Sequence, residues 1–397
     1  MTRVSVYNPA LFWWSAMTGP FRLLMISAMY ENGGNAVQRH LDGHPELVSY
    51  PYESQLGTRL VQDHLTSLYP VKYRWPVFPL EGSPESDYEA IIDEECKVRI
   101  KTPQSSKFRD WPIGLDDRER KRLFVLRMQD RPRTRAQLVE AFFRSTAEAW
   151  RDRAASPEEH VFVGYSPIVG VDAGAILADL PGAHVLNVVR NPWSAYADTK
   201  KRALPLSLSH YVTGWCVHQL HALAFAASHP DRAHLVRYED LVESPLGALS
   251  AVLAKMGVGS SLALSAPSWN GSPLKQLRPW GTILTPTREA NEATGAELAS
   301  EEREEIARRT RPLLAPLGYA GCLRPSRASP SPDPLDLSGM PPRGVSSRKA
   351  ARCSPCCAAR RGCGGFGTFP PAWPSSPAIF SIRTPCGPLC WRSVPTR

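Results

Sequence analysis

No stretch of this 397-residue chain approaches the roughly 18 consecutive apolar residues that a membrane-spanning helix needs, so no span is expected. The apolar patch at the N-terminus, "MTRVSVYNPALFWWSAMTGPFR", is interrupted by Pro9 and Gly19-Pro20. It carries no clear small-residue cleavage site, which argues against a secretory leader. Up to residue 322 the only cysteines are Cys96, Cys216 and Cys322, too few and too scattered for a disulfide framework. That suits a reducing compartment, and a cytoplasmic protein is the expectation. Nor does a Gly-Lys-Ser/Thr follow the first glycine pair, which argues against a Mg²⁺-dependent ATP- or GTP-binding loop.

Net charge is also missing where a core could form. The formal charge of +9 belongs entirely to residues 323–397, which hold 11 Lys/Arg against Asp333 and Asp336, leaving 36 basic and 36 acidic side chains in residues 1–322. A nucleic-acid partner, which a basic protein would ordinarily suggest, is therefore not expected. Residues 323–397 are rich in Pro, Ser, Gly, Arg and Cys and lack any apolar period, so they read as a disordered C-terminal tail. Their abrupt onset after "LGYAGC" equally resembles out-of-frame translation of a GC-rich gene. Six of the nine cysteines fall there, and their C-x-x-C-C spacing has no flanking histidine, so no metal site is expected.

What is present, at 43% hydrophobic and 21% charged residues, can bury a full α/β core. Phe21 to Ala28 reads as a buried parallel strand and "GNAVQRHLDGH" as the helix after it. The Asn32-Gly33-Gly34-Asn35 turn then lies at the strand's carboxyl end, where doubly wound sheets bind ligands. "HVLNVVR", His184 to Arg190, is a second strand, broken by Asn191-Pro192 before a helix "WSAYADTKKRA". "AHLVRYEDL" is a third, entered from a long apolar helix around "HYVTGWCVHQLHALAFAASH", and "ASEEREEIARRTRPLLAPLGY" is the closing helix. Such alternation implies a central parallel sheet with helices on both faces. Residues 50–157 are looser and aromatic-rich and read as an insertion capping the active edge, with "DDRERKRLF" a solvated charged face.

Backbone amides at a helix N-terminus favour an anion, and Gly33 and Gly34 let backbone approach a phosphate closely, although any glycine pair after a strand also makes a tight turn. Arg190 at the end of a buried strand is suited to a bidentate phosphate contact. His218 and His221 share an apolar helix face with no third ligand in view, so they read as packed rather than metal-binding.

Taken in order, the glycine turn with "DGHPEL", then "VVRNPWSAY", then "VRYEDLVESP" resemble the sulfotransferase family that uses 3′-phosphoadenosine 5′-phosphosulfate, over roughly residues 21–319. The resemblance implies a P-loop-like α/β domain over residues 1–322. It implies sulfuryl transfer from that co-substrate to a hydroxyl or amine of a small-molecule, glycan or lipid acceptor, without a metal. A catalytically degenerate binding protein of the same fold is the alternative. By the same resemblance the amides of Gly33, Gly34, Asn35 and Ala36 hold the 5′-phosphosulfate, Arg190 the 3′-phosphate, and Glu53 is the base, while its plainer reading is a solvated loop carboxylate. His44 reads as capping or packing locally.

Three positions depart from the family pattern. The serine eight residues after the arginine is Asp198, with Thr199 beside it as the substitute contact; a lysine before Ser-Pro is Tyr165; and a cation facing the phosphosulfate is Glu31. Arg39, Lys200, Lys201 or Arg278 would then have to compensate Glu31. Arg278 is the choice for a second phosphate contact, and Trp280 either stacks on adenine or anchors its Pro-rich loop.

Overall fold

A computed structural model describes residues 19–323 apart from 80, 107, 110–112 and 275–285, so the C-terminal tail, Arg278 and Trp280 lie outside the described residues. Five parallel strands form one sheet in the order β2-β3-β1-β4-β5: β1 Leu23–Ala28, β2 Leu47–Ser49, β3 Val161–Tyr165, β4 Ala183–Val189 and β5 Ala233–Arg237. In the central strand β1 every residue is buried, because helices cover both faces and neither face can afford polar alternation. The period of two sorts its side chains: Leu23 and Met25 join Phe162 and Val185 on one face, and Leu24, Ile26 and Ala28 join Val163, Leu186 and Val188 on the other.

The helices are α1 Gly34–Leu41, α2 Pro84–Ala90, α3 Glu94–Lys101, α4 Asp117–Met128, α5 Arg135–Ala149, α6 Ala173–Asp179, α7 Pro192–Lys200, α8 Leu208–Ser228, α9 Tyr238–Glu243, α10 Pro245–Lys255, α11 Arg288–Ala296 and α12 Ser300–Leu314. The first sheet face is covered by α4, α5 and α6 through Phe124, Phe142 and Ile176, the second by α1 and α10 through Val37 and Leu249. A third apolar cluster, built from Met29, Val189, Tyr211, Trp215 and Ile306, seats α8 and α12 near the carboxyl edge of the sheet.

Residues 50–157 divide in two. Their first part does run along the carboxyl edge, since Ser54 N donates to Tyr165 O at 2.6 Å and Ser166 Oγ to Tyr73 O at 3.3 Å, whereas α4 and α5 pack on a sheet face instead. The charged stretch that opens α4 is not wholly solvated. Arg120 is fully buried, donates to Asp93 Oδ2 at 2.7 Å and to Tyr50 Oη at 3.3 Å, and lies 4.4 Å from the Phe142 ring centre. Its partner Asp93 compensates the charge that burial would otherwise forbid. The third predicted strand is shorter than expected, because Tyr238 already begins α9.

His218 is packed, with Nε2 2.8 Å from Ser27 Oγ and Nδ1 without a partner among the described residues. Burial pushes its imidazole down to about 3. Below the unfolded value of about 6.5, the unfolded chain therefore takes a proton that the native state refuses. Stability is full above that value and falls as pH drops, by about 1.4 kcal/mol per pH unit from this group. Urea unfolding at pH 7.5 and pH 5.0 should show a loss of about 2 kcal/mol that His218→Gln lacks. Equal losses in both proteins would assign the pH dependence elsewhere.

Candidate active site

The chain leaves β1 at Ala28 and turns through Met29 to Asn32, with Asn32 N donating to Met29 O at 3.0 Å. Glu31 and Gly33 both take left-handed backbone angles, φ 58° and 95°, which deliver the chain into α1 at Gly34. Glycine is free in that conformation, while glutamate is strained there. The first amides of α1, those of Gly34, Asn35 and Ala36, have no intrahelical acceptor, and no acidic side chain sits in that turn to answer its positive end. The two glycines also serve the packing. A Cβ on Gly33 would lie 2.3 Å from the Tyr238 ring, and one on Gly34 2.2 Å from the Tyr165 ring, so both tyrosines lie against the turn.

Arg190 follows β4 directly and meets this turn. Its N–H donates to Asn32 Oδ1 at 2.9 Å and its Nη1 to Glu31 O at 2.9 Å, so one residue clamps the turn through both backbone and side chain. The guanidinium also donates from Nη1 to Asp198 Oδ2 at 2.8 Å and from Nε to Asn291 Oδ1 at 2.5 Å, 5.1 Å from the Tyr238 ring centre. It is 3% exposed, yet Nη2 has no partner among the described residues. Asn291 and Asn191 are in turn held by Glu239, which also accepts from Tyr319 Oη at 2.7 Å. Both asparagines line an open cavity of about 1070 Å³ with Arg237, Arg288 and Arg303, large enough for a nucleoside.

Thr199 does not join this network. It is fully buried and its Oγ1 donates to Ala195 O at 2.8 Å, one turn back in α7, so the hydroxyl proposed as a substitute phosphate contact is spent inside its own helix. Asp198, 1% exposed, holds Arg190 with one oxygen and accepts from Lys201 Nζ at 3.2 Å with the other.

Among the described residues the cation that pairs with Glu31 is one not considered from sequence. Arg202 Nε lies 3.9 Å from Glu31 Oε1, and its guanidinium lies 4.6 Å from the Tyr30 ring centre. Arg39 is fully buried against the Trp269 ring, Lys200 pairs with Glu302 at 2.8 Å, Lys201 pairs with Asp198 and Glu297, and Arg278 lies outside the described residues. Burial pushes the Glu31 carboxyl above the usual range, with Arg202 opposing and Asp198 and Glu53 adding to the shift.

Glu53 sits in the loop after β2, accepting from Gln55 Nε2 at 3.0 Å, while its neighbour Ser54 anchors the loop to the end of β3. Burial raises the phenols of Tyr73 and Tyr165, and the Glu53 charge is the next cause in both, so the carboxylate shares this edge with them. His44 packs structurally: its Nδ1 accepts from Glu46 N at 3.2 Å, and its Nε2 reaches a distant segment and donates to Gly259 O at 3.0 Å.

A parallel sheet whose first strand feeds a glycine turn and a helix, with a buried arginine from a neighbouring strand beside it, is an α/β arrangement in which anionic groups can bind at the carboxyl edge. The chain belongs to the sulfotransferase family, whose pattern it matches over residues 33–260, more than half its length. No curated relative matches it. Among solved structures it is similar to a sulfotransferase domain from the curacin biosynthetic pathway, at 14% identity and TM-score 0.42, over 74% of this chain and 98% of that one. It is also similar to the sulfotransferase domain of an olefin synthase from Synechococcus PCC 7002, at 19% identity and TM-score 0.37, over 70% and 95%. A third is a sulfotransferase from Alicyclobacillus acidocaldarius, at 13% identity and TM-score 0.36, over 76% and 96%. Among the described residues no helix is long and apolar enough to cross a membrane.

Proposed function

We propose that the chain transfers a sulfuryl group from 3′-phosphoadenosine 5′-phosphosulfate to a hydroxyl or amine of a small-molecule, glycan or lipid acceptor, without a metal. The observation that carries this reading is the Arg190 guanidinium, buried against the glycine turn with Nη2 unpartnered among the described residues. A buried donor left open is costly unless something fills it, and here it lies beside a helix N-terminus with free amides. In the transfer, the acceptor oxygen or nitrogen attacks sulfur while the bond from sulfur to the 5′-phosphate oxygen breaks. The amides of Gly34, Asn35 and Ala36 stabilise the charge that returns to that phosphate, and Glu53 takes the acceptor's proton.

The alternative, a degenerate relative that binds without transfer, is favoured by Glu31. Like charges 4 Å apart near a surface cost on the order of 4 kcal/mol, about a thousandfold in affinity. Arg202 at 3.9 Å offsets that repulsion, so the active reading stands first. Titration of the full chain with 3′-phosphoadenosine 5′-phosphate should give micromolar binding, and transfer of labelled sulfate from the donor to an acceptor panel should follow. Binding without transfer to any acceptor would select the degenerate reading; no binding would sink both.

A further inference from the structure

Among the described residues, the ion pairs around Arg190 balance in charge. Asp198 lies within 2.8 Å of it, and both side chains are almost wholly buried. Lys201 adds one positive charge, matched by Glu297 at 2.9 Å. Of the guanidinium's nitrogens, Nη1 is occupied by Asp198 and by Glu31 O, and Nε by Asn291, so only Nη2 remains. A bidentate grip on a phosphate, which needs two parallel N–H groups from different nitrogens, is therefore not on offer. The adjacent hydroxyl of Thr199 is committed to Ala195.

We propose that Asp198 sets the selectivity at the ribose 3′ position, so that this site takes an adenosine 5′-phosphosulfate with a free 3′-hydroxyl at least as well as the 3′-phosphorylated nucleotide. The inference rests on the function proposed above and refines its donor. A 3′-phosphate would bring a dianion beside the buried Asp198 carboxylate, against an arginine whose charge that carboxylate already balances. A 3′-hydroxyl brings no charge and donates a hydrogen bond that a carboxylate accepts, while Nη2 of Arg190 is free to donate to the same oxygen. Dinucleotide sites discriminate in the same way, with an acidic side chain for a ribose hydroxyl and an arginine for a ribose phosphate.

The test is calorimetric titration of the full chain with adenosine 5′-monophosphate and with 3′-phosphoadenosine 5′-phosphate. The wild-type protein should bind the two within about threefold of each other. Asp198→Ser, which frees Arg190, should shift the ratio toward the 3′-phosphorylated nucleotide by about tenfold to a hundredfold, the size of one charged hydrogen bond. Asp198→Asn, which keeps the shape and loses the charge, should shift it the same way and decides the matter if the serine variant does not fold. A wild-type preference of a hundredfold or so for the 3′-phosphate overturns the inference and leaves the function standing. So does a ratio that neither substitution moves. Binding of neither nucleotide removes the functional reading and this inference together.

Discussion

Arg190→Ala is expected to abolish nucleotide binding, and the loss should persist when Asp198 is removed as well. The single substitution does two things. It takes away the donor held at the glycine turn together with the Nη1 bond to Glu31 O, and it strands Asp198, 1% exposed, as a buried carboxylate whose nearest remaining cation is Lys201. Breaking a buried ion pair from one side costs about 3–5 kcal/mol, so the variant should also unfold at lower urea. Arg190→Ala/Asp198→Ala separates the two effects. Stability should return in large part, because no unpaired charge is left, while binding should not, because nothing replaces the guanidinium. Recovery of wild-type affinity in the double variant would reduce Arg190 to a structural partner of Asp198 and undo its assignment to the ligand.

The meeting of Arg190 with the glycine turn was legible in the sequence because each of its parts is local. An apolar run ending in glycines places the turn at the end of β1, and Asn191-Pro192 fixes where β4 stops, Asn191 capping α7 through Ser194 N. Order along the chain then does the rest, since parallel strands joined by helices bring their carboxyl ends to one edge. Strand β3, beside β1, was not legible. Five residues, VFVGY, carry too short an apolar run to be told from a buried loop, and β2 is shorter still.

What the side chains do with one another was hidden for a different reason. Arg120 sits in a run of charges that has no apolar period, and its burial is licensed by Asp93, on a preceding loop that no pattern connects to it. Asn291, which holds Nε of Arg190, belongs to no motif, and Arg202, expected inside the helix "WSAYADTKKRA", lies just beyond the end of α7, from where it reaches Glu31. The glycine pair was read as space for a phosphate. The structure shows that the same space is used from the other side by the Tyr165 and Tyr238 rings. Tyr165 thus replaces an expected lysine with a ring that braces the turn, and the positive charge at this edge comes from Arg202 and Arg190 instead.

Glu53→Gln should lower sulfuryl transfer by about 10²- to 10⁴-fold, the range for loss of a positioned general base, with nucleotide affinity unchanged. A base acts on the acceptor's proton, so its removal falls on turnover and leaves donor binding alone. Glu31 should behave in the opposite way. Its carboxyl is raised above the usual range by burial, and it stands next to the amides that would hold the phosphosulfate. Donor affinity should therefore rise as pH falls through that raised value, because protonation removes a negative charge that repels the ligand. Glu31→Gln should raise affinity at neutral pH and abolish this pH dependence. Glu31→Arg should raise affinity or leave it unchanged, since the gain toward the anion is set against new repulsion from Arg202. If instead Glu31→Gln stops transfer while Glu53→Gln is silent, the two carboxylates have exchanged roles. Glu31 would then be the base, its raised affinity for a proton matching it to that task, and Arg202 the group that holds it toward the acceptor.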